Sequence, residues 1–103
     1  MRYLLIVQLK DFPSEDRVGG DVREIVGIVS RFSGGEHEVA FRSKCGLVFG
    51  FFFKSTQHVF AMQGAISTST GFRNGDGMIA CEVGELMAGV GLSRAFAWLQ
   101  HNK

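Results

Sequence analysis

The apolar and polar positions of the chain alternate between a period of two and a period of about 3.6, and the switches between them mark out its elements. The longest apolar run is residues 46–53, Gly-Leu-Val-Phe-Gly-Phe-Phe-Phe. Its length suits a strand, whereas a buried helix needs about ten residues or more, and a glycine weakens a helix interior by about 1 kcal/mol relative to alanine. Side chains alternate along a strand, so Leu47, Phe49, Phe51 and Phe53 share one face while Val48, Gly50 and Phe52 share the other. A strand apolar on both faces belongs inside a sheet, with helices, another chain or a ligand covering each side.

The rest of the pattern fits around this run. Residues 2–9 alternate as a strand, with Tyr3, Leu5, Val7 and Leu9 on one face. Residues 10–20 hold Pro13 and the Gly19-Gly20 pair, which argue against regular structure there. Asp21-Val22-Arg23-Glu24 has the form of a capping box and predicts a helix start. Val22, Ile25, Val26, Val29 and Phe32 then form one apolar stripe, and Ser33-Gly34-Gly35 supplies the stop. Residues 36–43 alternate with charge on one face, as an edge strand does, and a turn at 44–46 makes a hairpin with the Phe-rich run.

Ser55 is placed to cap a second helix over 56–66, with Val59, Met62 and Ile66 inward. Residues 67–77 are rich in turn formers and predict an exposed loop. A last strand over 78–83 sets Cys81 in phase with Ile79 and Val83, facing the core, and a glycine-punctuated connection leads to a terminal helix over 93–101. The order strand, helix, strand, strand, helix, strand, helix is that of an α+β, ferredoxin-like βαββαβ sandwich with an added C-terminal helix. Its antiparallel four-stranded sheet would run 4-1-3-2, which puts the two most apolar strands in the middle.

Composition narrows the reading further. The 103 residues suffice for a single domain with one core. Eleven Lys and Arg against ten Asp and Glu provide no global field toward nucleic acid or an anionic membrane. No run reaches membrane-spanning length, and the short N-terminal apolar stretch has no signal-peptide cleavage site. Cys45 and Cys81 form neither a disulfide framework nor a metal knuckle, so a reduced, cytoplasmic setting is expected. His37, His58 and His101 are too scattered for a metal site, and no cofactor motif is present.

Three groups of residues invite chemistry. Phe49-Gly50-Phe51-Phe52 resembles part of the aromatic octamer of RNA-recognition-motif domains, which lies on the third strand of the same fold. The resemblance implies that Phe49 and Phe51 stack bases on an open sheet face. Leu47 and Lys54 depart from the motif, and the first strand lacks the companion aromatic near Leu5. Glu82 and Glu85 flank Gly84, while Gly91, Ser93 and Arg94 open the last helix, and together they form a candidate anion or ligand site. Trp98 sits beside the apolar stripe of the last helix, where a rim aromatic suits an interface.

No arrangement of these residues constitutes a catalytic centre. The function expected is that of a small non-enzymatic protein–protein interaction module, of a regulatory, accessory or toxin-neutralising kind, whose partner is another protein or a second copy of itself. The alternatives are single-stranded RNA binding through Phe49 and Phe51, and a small enzyme or anion binder near Glu82, Glu85 and Ser93.

Overall fold

The computed structural model describes residues 1–10, 14–84 and 93–102. Two central strands carry the fold: β1 (Arg2–Gln8) lies antiparallel to β3 (Val48–Lys54), with Tyr3 opposite Phe53, Leu5 opposite Phe51 and Val7 opposite Phe49. Strand β2 (His37–Arg42) pairs with the far side of β3, and β4 (Gly77–Glu82) with the far side of β1. All pairings are antiparallel, and the order β2-β3-β1-β4 is the expected 4-1-3-2 read from the other edge. Apolar residues on both faces of β3 dictate this position, because an edge would leave one side of the run in water.

Helices α1 (Val22–Ser33) and α2 (Val59–Ser67) cover one face. Beneath them Tyr3, Leu5, Val7, Phe49, Phe51 and Phe53 pack with Ile25, Ile28, Val29, Met62 and Ile66. Tyr3 and Phe53 stack at 5.3 Å between ring centroids, and Phe49 meets Phe51 edge-on at 5.8 Å. The helix α1 stops as its sequence requires: Gly34 and Gly35 take φ of 61° and 84°, and the Gly35 N–H donates to the Ser30 carbonyl at 2.9 Å. In the hairpin after β2, Gly46 takes φ of 79° and its N–H donates to the Ser43 carbonyl.

Several local expectations are corrected. The chain enters α1 through a π-helical segment, Glu15–Asp21, capped by Ser14, although this glycine-containing stretch reads as irregular. Asp21 makes no capping bond, because its carboxylate is taken by Arg17 and Arg73, and Glu24 instead accepts from the Thr70 hydroxyl. Ser55 donates to the Phe32 carbonyl and accepts from Gln57, tying the end of α1 to the end of β3, and it is His58 that caps α2. Pro13 lies outside the described residues.

The other face is covered in part. Helix α3 (Ser93–His101) packs beside β2 and buries Ala95 and Leu99, with Trp98 half-buried. Arg2, on this face of β1, anchors the helix by donating to the carbonyls of Leu99 at 2.9 Å and Gly84 at 2.7 Å. Between β2 and β3 the ladder carries a bulge at Ala40, which lets the Phe41 ring lie across Gly50. A Cβ on Gly50 would stand 2.5 Å from the Phe41 ring. Gly50→Ala is therefore expected to lower stability by about 1 to 3 kcal/mol through overpacking, seen as a fall in the urea midpoint. An unchanged midpoint would mean that the ring moves aside freely.

Candidate functional site

The structure separates the candidate residues. Phe49 and Phe51 project from β3 toward α1 and α2 and are 2% and 4% exposed, so they cannot stack bases on an open face. This corrects the RNA-binding expectation: alternation assigns the rings to one face, but the crossover helices took that same face. Glu82 is exposed at the end of β4, where a cleft of about 220 Å³ is lined by Arg2, Lys54, Glu82 and Asn102 among others. Glu85 and Gly91 lie outside the described residues, and Ser93 and Arg94 are described only as the first helical positions of α3. Of the expected ligand grouping, only Glu82 has its side chain among the described residues. Among them, no group of three His, Cys, Asp or Glu side chains is placed to hold a metal ion.

What the fold does build is an edge. Just past β4 the Val83 N–H donates to the Arg2 carbonyl at 2.8 Å, and this sets the phase of the ladder with β1. Antiparallel bonding alternates, so Gly77, Ile79 and Cys81 direct their backbone groups inward to β1, and Met78, Ala80 and Glu82 direct theirs outward. Side chains alternate as well. Met78 and Ala80 pack against the core beneath the helices, while Ile79, 60% exposed, and Cys81 project from the second face. Cys81 is therefore a surface thiol rather than the core residue its alternation with Ile79 suggests, because α3 covers the β2 side of that face.

The two edges of the sheet differ in kind. Strand β2 carries Glu38 and Arg42, is interrupted by its bulge and is flanked by α3, all of which blunt it against further pairing. From Gly77 to Cys81, β4 has no charge, no proline and no bulge. Among the described residues, the two largest apolar side chains left exposed beyond the N-terminal residue are Phe60 on α2, at 73%, and Ile79. Ile79 thus places apolar surface along this edge on the second face.

A buried charge cluster fixes where β4 begins. Arg17, 2% exposed, donates to Asp21 at 2.9 Å, to Asp76 at 2.5 Å and to the carbonyls of Lys10 and Gly71 at 3.1 and 3.2 Å. Asp76 also accepts from the backbone N–H groups of Lys10 and Arg73, each at 2.7 Å. At Gly71 room is tight: a Cβ there would stand 3.0 Å from the Asp21 carbonyl oxygen and 3.2 Å from the Asp21 Cα. The loop over 68–76 is thus clasped to the end of β1 and to the π-helical segment, directly before the edge strand. Arg17 and Asp76 carry no sequence motif, and the only hint is the opposite charge of Arg17 and Asp21 four residues apart.

Burial pushes the Asp76 carboxyl up, but the hydrogen bonds from Arg17, Lys10 and Arg73 and the charge of Arg17 outweigh it and hold it below its ordinary value. Arg17 is raised above its ordinary value, chiefly by its bond to Asp76, so it stays charged throughout the accessible range. A carboxylate with a depressed folded-state pKa stabilises fully above its unfolded value, about 3.9, and loses that contribution as pH falls through the folded value. Asp76→Asn is expected to lower stability at neutral pH by about 3 kcal/mol, at the low end for a broken buried pair because Asp21 still faces Arg17. The difference from the parent should shrink below about pH 4 in urea titrations, whereas a difference constant down to pH 2 would separate the loss from Asp76 ionisation. Compared with protein-family models, with curated proteins and with solved structures, the chain matches none of them.

Proposed function

We propose that this chain is a ferredoxin-like, non-catalytic protein interaction module of the cytoplasm that works by adding a strand to the β4 edge of its sheet. Support for the fold name comes from the βαββαβ order and the strand order β2-β3-β1-β4. The observation that carries the function is the contrast between a β2 interrupted by its bulge and flanked by α3 and an uninterrupted β4 that carries exposed Ile79 beside its outward backbone groups. Strand addition draws affinity from main-chain bonds and specificity from alternate side chains, and β4 offers both. Two exposed, unpaired thiols suit a reducing compartment.

A photoreactive phenylalanine analogue at position 79, with the same probe at position 42 on the β2 edge as the control, tests this in the cells that make the protein. Irradiation is expected to yield a protein adduct from position 79 and none from position 42, with the adduct identified by mass spectrometry. Absence of any protein adduct from position 79 would end the reading.

A further inference from the structure

We infer that the strand added to β4 is β4 of a second copy of this chain, paired antiparallel about a two-fold axis that passes beside Ala80. The inference rests on the reading of β4 as the binding edge and names its occupant. A two-fold axis normal to the sheet keeps each face continuous, so opposed residues must have the same parity in the strand. The outward-pointing positions are Met78, Ala80 and Glu82, which are symmetric about Ala80. With Ala80 opposite Ala80, each exchanges both backbone bonds with its counterpart, and Met78 exchanges both with Glu82 of the other copy. The paired stretch then extends from Gly77 to Val83, which matches the length over which β4 is itself held by β1.

Side chains agree with this register. On the second face, Ile79 comes opposite Cys81 of the other copy, twice, and covers the exposed apolar residue of the strand. Glu82 is the only charged residue of β4, and the two-fold sets it across from Met78 rather than across from itself. It also brings the Glu82 end of each strand toward the Gly77 end of the other, where Lys10 and Arg73 are exposed. The register centred on Ile79 instead would set Glu82 across from Asp76, a residue outside β4 whose carboxylate is held inward by Arg17. Strand pairing supplies a central strip, and Ile79 on the second face extends it toward the area a stable dimer needs.

The test uses two full-length variants that differ by a tag. Both carry Cys45→Ser; one keeps Cys81, and the other adds Ile79→Cys and Cys81→Ser. Light scattering before oxidation is expected to show twice the chain mass for the parent and for the mixture. On mild oxidation, the mixed disulfide between the two variants should dominate, because positions 79 and 81 face each other without intervening backbone bonds, where side chains come closest. Two Cys81 thiols lie on a diagonal of about 7 to 8 Å and should link poorly. Ile79→Lys should remain folded by circular dichroism and fall to the single-chain mass.

A dominant disulfide between two chains carrying the thiol at position 79 would overturn the register. A single-chain mass for the parent at 100 µM, or a folded Ile79→Lys that stays dimeric, would overturn the inference. With the parent monomeric, a heterologous adduct from the position-79 photoprobe would leave the interaction reading standing, and no adduct would remove both.

Discussion

Everything in this structure depends on one strand that cannot face water on either side. Residues 48–54 place Phe49, Phe51 and Phe53 against α1 and α2, and Val48 and Phe52 toward the opposite face. Burying a phenylalanine contributes on the order of 2 to 3 kcal/mol, so the run holds the interior of the sheet, and the more polar β2 is left outside it. Once β3 pairs with β1, the helical crossovers leave β4 on the remaining edge. The exposure of β4 is thus a consequence of where the aromatic run has to be.

The Arg17 cluster works at a different level. It adds no apolar surface; it joins three segments by polar bonds: the end of β1, the π-helical segment and the loop before β4. A buried guanidinium is costly unless its charge and its donors are met, and here two carboxylates and two carbonyls meet Nη1 and Nη2, while Nε finds no partner among the described residues. The clasp thereby sets the start of β4, and with it which backbone groups face outward. Interior packing and the edge are linked through this polar knot.

Much of the architecture was legible in the sequence, because β3 announces itself by length and composition and α1 by its stripe and double-glycine stop. Alternation assigns side chains to two faces but does not say which face the crossover helices will take. That is why base stacking by Phe49 and Phe51 stays an alternative to their packing in the core, and why Cys81 reads as inward. The clasp was illegible for a different reason: Arg17 and Asp76 are separated by 59 positions and lie in polar, glycine-containing segments that carry no periodicity. Asp21 looked like a cap because local chemistry was all the sequence offered, and a distant arginine took the carboxylate instead.

Whether the outward groups of β4 are paired in solution separates a dimer joined along this edge from an open edge. Amide hydrogen exchange of Ala80 and Glu82, followed from micromolar to millimolar chain concentration, reads them directly. If two copies join along this edge, both amides are protected at high concentration to the level of inward-pointing Ile79 and Cys81, and lose that protection on dilution. Free exchange of Ala80 and Glu82 at every concentration, with Ile79 and Cys81 protected throughout, would show an unpaired edge and contradict the account.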